Sequence, residues 1–132
     1  QPYINLIKHP WRNLKTASSE RMIPLVGSAL WAAKRIVEAD NQTDFAFPRY
    51  NRNQLTTANS ASAALNKWLR QYVPSGCTMH SFRHSMRDRL RETQCPSDIT
   101  DQIGGWATNS VGQSYGSGYS LNVLQEWMEK TV

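Results

Sequence analysis

Thr78-Met79-His80-Ser81-Phe82-Arg83-His84-Ser85-Met86-Arg87-Asp88-Arg89-Leu90, followed by Gly104-Gly105-Trp106 and, nine positions after that tryptophan, by Tyr115, decides how this chain is read. Thr78 is placed to cap a helix running from about His80 to Thr93 and ending before Pro96. Residues three apart on a helix share a face, so the His80 imidazole and the planar Arg83 fork converge on one small anion. A phosphate fits that pair. Tyr115 lies in a Gly/Ser-rich stretch and offers an oxygen nucleophile able to form a covalent intermediate. Together these are the parts of a phosphoryl-transfer site.

The 132 residues allow one domain with a moderate core, and an apolar fraction of 39% suffices for it. Residues 1–91 hold fourteen Lys/Arg against five Asp/Glu, whereas residues 92–132 hold one against five. That asymmetry points the first part of the chain at a polyanion and the acidic tail away from it. No charged residue lies between Gln102 and Gln125, so the surroundings of Tyr115 must be charged by other segments. Cys77 and Cys95 lack a CxxC spacing, which fits reduced thiols better than a disulfide or zinc framework. No apolar run is long enough to span a membrane and the first residues do not read as a signal peptide, so a soluble, intracellular protein is expected. The chain opens on Gln1 directly in a strand-like run and reads as a piece of a longer protein.

Alternation predicts strands over Tyr3–Lys8 and Arg21–Leu25, joined as an antiparallel hairpin with Lys15 at its tip. Ser28 is expected to cap a helix with an apolar face of Leu30, Trp31, Ala33, Ile36 and Val37. Asn41 to Asn59 is too polar and irregular for an element. Ser60 opens a helix over Ala61–Tyr72 that turns Ala64, Leu65, Trp68 and Leu69 inward. Pro96-Ser97-Asp98 starts a short helix through Ile103, stopped by Gly104-Gly105. Ser120 caps a last helix, Leu121–Thr131, with Leu121, Leu124, Trp127 and Met128 on one stripe. The expected fold class is α+β, mainly helical with a small antiparallel hairpin.

The order His-x-x-Arg, Gly-Trp, Tyr resembles the catalytic domain of the tyrosine recombinases, the phage-integrase family, in which the tryptophan position holds either His or Trp. Leu14-Lys15-Thr16 followed by Ser19, Arg21 and Ile23-Pro24-Leu25 is similar to the family's lysine-bearing hairpin. Arg83-His84 with Arg87-Asp88-Arg89-Leu90 matches its second helical block. Tyr115-Gly116-Ser117-Gly118-Tyr119-Ser120 resembles the surroundings of the nucleophile in a proteobacterial subgroup. Three blocks in the right order, over nearly the whole chain, make the resemblance specific where His80-x-x-Arg83 alone would be weak.

The resemblance implies site-specific DNA integration by strand cleavage and rejoining, through a 3′-phosphotyrosyl bond formed by Tyr115. Arg83 then donates to the nonbridging oxygens, and His80 donates or takes the tyrosine proton. Trp106 orients a phosphate oxygen through its indole N–H, and Lys15 protonates the departing 5′-oxygen. Arg12, Arg87 and Arg89 are expected to contact DNA. No cofactor and no metal is called for. The implied partners are duplex attachment sites and further protomers in a tetrameric synapse, without a membrane, in a bacterial cytoplasm. The family's first phosphate-binding arginine and its core-binding domain are expected upstream of residues 1–132, which leaves the piece itself catalytically crippled.

Plainer readings stand beside these. His80 and His84 at i, i+4 admit a metal pair that lacks a third ligand, and Tyr119 competes with Tyr115 for the nucleophile's place. A non-catalytic DNA-binding relic shares the basic face, and a helical protein-interaction domain shares the helices.

Overall fold

A computed structural model describes residues 1–39, 42–52, 55–107 and 117–132. Its first element is the expected hairpin: β1 (Tyr3–Leu6) pairs antiparallel with β2 (Arg21–Pro24), Tyr3 opposite Pro24 and Leu6 opposite Arg21. Both strands are shorter than the alternation predicts. The connection folds on itself, because His9 and Arg12 exchange backbone hydrogen bonds of 3.0 and 3.1 Å and a 3₁₀ turn follows at Ala17–Ser19. Lys15 therefore lies on the returning limb between two turns and not at a simple hairpin tip.

Five helices follow β2. They are α1 (Gly27–Glu38), α2 (Ala58–Leu69), α3 (Ser81–Glu92), α4 (Ser97–Gly104) and α5 (Leu121–Glu129). Between α1 and α2, where no element was expected, a 3₁₀ turn at Pro48–Tyr50 leads into a two-stranded hairpin of β3 (Asn51–Arg52) and β4 (Leu55–Thr56). Polar residues hold it: Thr57 donates its backbone N–H to the Tyr50 carbonyl at 2.8 Å, and the Thr56 hydroxyl donates to Asn51 Oδ1 at 3.0 Å. Such a hairpin carries no hydrophobic alternation to be read.

Two of the three expected caps are not made. The α1 ladder already begins with Leu30 N–H on the Val26 carbonyl, so Ser28 sits inside the first turn, where its backbone lacks the extended conformation of a cap. Residue α2 begins three positions before Ala61, which places Ser60 within the helix as well. At α3 the bond runs the other way, with Thr78 N–H donating to Ser81 Oγ at 3.0 Å and His80 occupying the capping position without a side-chain bond. Ser120 alone caps as expected, its Oγ accepting from Val123 N–H.

The core lies where β2, α3, α4 and α5 meet. Val26, Leu90, Ile99, Ile103, Leu124 and Met128 form one buried cluster, with Ile23, Met86, Val123 and Trp127 packed around it. Leu124, Trp127 and Met128 thus face inward as the α5 stripe requires, while Leu121 is half-buried outside the cluster. Arg89 secures this arrangement by donating from Nη1 to the Thr131 carbonyl at 3.3 Å, so α5 rests on its own domain. The apolar faces expected of α1 and α2 do not join it. Trp31 and Val37 are 65% and 82% exposed, Ala64, Leu65 and Trp68 are exposed too, and of the α2 set only Leu69 is buried. Periodicity identified the stripes, of which Leu30, Ala33 and Ile36 in α1 are half-buried and Leu69 in α2 is buried, while the rest stays exposed.

Leu124 is 1% exposed at the centre of the cluster, so Leu124→Ala should destabilise the chain by about 2–5 kcal/mol. Val37→Ala, at the open face of α1, should stay within about 0.5 kcal/mol of wild type. Urea unfolding followed by circular dichroism checks both.

Candidate phosphate-binding site

Gly104-Gly105-Trp106 is the pivot around which the other site residues gather. Gly105 ends α4 in the left-handed region, at φ 66°, and turns the chain so that Trp106 N–H reaches back to the Asp101 carbonyl at 3.0 Å. The indole then lies across Gly104, where an added Cβ would stand only 1.9 Å from its Cζ3. A Cβ on Gly105 would come 2.5 Å from Arg21 Nη1. Two successive glycines are therefore demanded by two different neighbours.

Arg21, at the start of β2, is a site residue that the sequence reading left out. Its Nε donates to the Ile103 carbonyl at 3.0 Å and its Nη1 to the Ser19 carbonyl at 2.7 Å. It thereby ties the Lys15-bearing connection to the last turn of α4. Ser18 Oγ adds a long contact of 3.5 Å to the Gly105 carbonyl, while Thr16 Oγ1 lies 3.0 Å from the hydroxyls of both Ser18 and Ser19. Lys15 itself is exposed, one residue before this knot. Burial, and then the charge of Arg83, hold the Arg21 guanidinium below its ordinary pKa. The only sequence signal for Arg21 was its place within the hairpin block, which reads equally well as a surface strand residue.

From the opposite side α3 contributes two guanidiniums. Arg83 Cζ lies 4.5 Å and Arg87 Cζ 4.8 Å from the centroid of the Trp106 ring. Such cation–π contacts are worth ~0.5–1 kcal/mol when exposed and about 2 when desolvated, and both arginines are half-buried. His80 sits one residue before α3 in helical conformation, its carbonyl accepting from Arg83 N–H at 3.0 Å, so the two belong to one turn as expected. The His80 ring meets His84 edge-on at 5.2 Å. Among the described residues no group of three or more His, Cys, Asp or Glu side chains could hold a metal ion. Nor does any carboxylate among them pair with Arg21, Arg83 or Arg87; Asp88 meets Arg91 at 3.8 Å.

The other basic residues separate. Arg12 donates from Nη2 to the Ile7 carbonyl at 2.9 Å and braces its own turn, while Arg89 is spent on Thr131 as described. Tyr115 lies outside the described residues. Tyr119 does not, and its hydroxyl donates to Asp98 Oδ2 at 2.5 Å. That hydrogen bond, with lesser help from burial and the Asp98 charge, pushes the phenol above its ordinary pKa, the wrong direction for a nucleophile. Gln102 clamps the same residue, accepting Tyr119 N–H at 2.8 Å and donating to its carbonyl at 3.0 Å. Arg83 is thus in contact with Trp106, His80 shares a turn with Arg83, and Ser18, three residues after Lys15, reaches the α4 turn.

A model of the phage integrase family matches residues 3–122. The chain belongs to that family. Comparison with curated proteins and with solved structures finds no match. Family membership makes this a tyrosine-recombinase type of domain, and site-specific DNA recombination is the activity that the family points to. The α+β architecture agrees with it, and among the described residues no helix is long and apolar enough to cross a membrane.

The Asp98 bond predicts a late-titrating tyrosine. The stabilisation is complete below the unfolded phenol pKa of ~10 and is lost only as pH rises through the higher folded value. Phenolate absorbance should show one tyrosine ionising after the others, and Tyr119→Phe should remove that phase; its survival would rule the bond out. At the α4 turn, Gly105→Ala combines a left-handed backbone with contact on Arg21 and should destabilise by ~1–3 kcal/mol, measured by thermal unfolding.

Proposed function

We propose that the chain carries out the strand-cleavage and rejoining chemistry of a site-specific recombinase, with Arg83, His80, Trp106, Lys15 and Tyr115 acting on one phosphodiester. The observation that supports it most is the placing of Arg83 and Arg87 over Trp106, with Arg21 beside Gly105 and within reach of the Arg83 charge, and no carboxylate partner for any of the three among the described residues. Three cations placed together repel one another. An anion from outside the chain relieves that repulsion, and a phosphodiester matches the planar forks.

In this reading the Tyr115 oxygen attacks phosphorus while the bond to the 5′-oxygen breaks. His80 takes the phenol proton, and Lys15 gives a proton to the departing 5′-oxygen. Negative charge grows on the nonbridging oxygens during attack, and the Arg83 guanidinium with the Trp106 indole N–H is aimed at that charge. Attack by another 5′-hydroxyl on the phosphotyrosine reverses each step, so the bond energy is conserved. Tyr119, with its hydroxyl given to Asp98, is left to anchor the segment. The partners proposed are duplex attachment sites and further protomers assembled on them. The family's first arginine has no motif among residues 1–132, so cleavage is tested on the natural protein that carries them.

That protein, incubated with a nicked suicide duplex, should trap a covalent complex that Tyr115→Phe abolishes and Tyr119→Phe retains. Loss in the Tyr119 variant alone would overturn the assignment. For duplex binding, log affinity should fall against log salt with a slope of about −0.9 per phosphate neutralised. A slope near zero, measured by fluorescence anisotropy, would favour a protein-interaction domain instead.

A further inference from the structure

Arg87 stands in a run, Arg87-Asp88-Arg89-Leu90-Arg91, whose sequence offers no way to tell one arginine from the next. The structure separates them. Arg89 reaches Thr131, and Arg91 leans toward Asp88. Arg87 lies on the same face as Arg83, one helical turn on, and both guanidiniums stand over the same indole. We propose that Arg87 is a positioning residue of the site: with Arg83 it holds the Trp106 indole between α3 and the last turn of α4, fixing the direction of the indole N–H.

Three observations carry this. First, the benzo edge of the indole rests on Gly104, with the closest ring atoms being Cζ3, Cε3 and Cη2, so the backbone constrains that edge. Second, the indole N–H has no acceptor among the described residues. Third, Arg87 has no carboxylate or carbonyl partner among the described residues, so the ring face is the contact that places it. The face of the indole is therefore met by two guanidiniums, which can set its tilt and with it the direction of the N–H. A guanidinium does this as a plane; an ammonium carries the same charge without the stacking surface. The consequence at the phosphate rests on the function proposed above, whereas the hold on the indole does not.

The test has two arms. In the 15N-labelled chain the five tryptophans give five indole N–H resonances, and Trp106→Phe identifies the one from Trp106. Arg87→Ala, Arg87→Gln and Arg87→Lys should each shift that resonance and hasten its solvent exchange, with the other four in place, whereas Arg89→Ala should leave it unmoved. An unshifted, equally protected Trp106 resonance in the Gln and Lys variants overturns the proposal. In the natural protein at saturating suicide duplex, Arg87→Ala and Arg87→Lys should slow covalent-complex formation by ~10-fold or more. In a Trp106→Phe background the same changes should add less than about twofold, since Arg87 acts through the indole. If the full loss persists without Trp106, or only affinity and its salt slope change, Arg87 is a backbone-phosphate contact and the inference fails. Absence of any covalent complex with wild type would sink the proposed function, and the indole resonance would still decide the role of Arg87.

Discussion

The last turn of α4 is the constraint on which the site depends. Its two glycines admit an indole on one side and a guanidinium on the other at distances no Cβ would allow. Arg21 then bonds simultaneously to Ile103 in α4 and Ser19 in the connection before β2. A hairpin, a helix end and, through Trp106, a second helix are thereby held in register by one turn of five residues or fewer. Packing alone does not accomplish this, because of α4 only Ile99 and Ile103 belong to the hydrophobic cluster and the two glycines and Trp106 do not.

Charge follows the same plan. Positive groups gather above the turn, where burial and mutual repulsion already disfavour the charged form of Arg21. Of the acidic groups, Asp98 is engaged by the Tyr119 hydroxyl, and Glu126 and Glu129 ride on exposed positions of α5. The α5 stripe is buried against the chain's own core, with Leu124 and Met128 among its deepest residues, and Arg89 ties its end to α3. An arginine that composition counts toward a polyanion is thus used to close the fold.

The α1 and α2 faces make the opposite point about packing. Their apolar residues recur with helical period, and the helices form, yet Trp31, Val37, Leu65 and Trp68 stay exposed. Part of that surface is covered locally, with Arg35 over the Trp31 ring at 5.3 Å and Trp68 tilted against Tyr72 at 5.0 Å. Period establishes that a helix has an apolar side; whether a neighbour meets it depends on where the chain returns.

The sequence by itself determined the helices over α3, α4 and α5, the first hairpin, the core stripe of α5, and the family, because each rests on local spacing or on short blocks read in order. His80, Arg83, Trp106 and Lys15 could be singled out as candidates for that reason too. Tertiary structure alone decided that Arg21 belongs to the site, that Arg87 and Arg89 part company, and that Tyr119 is occupied. Each of those depends on a partner between 19 and 82 positions away, at Asp98, Thr131, Trp106 or Ile103. An arginine reads the same in a sequence whether its fork meets a carbonyl, an indole face or solvent, and only the folded chain fixes which of these lies within a hydrogen bond's reach.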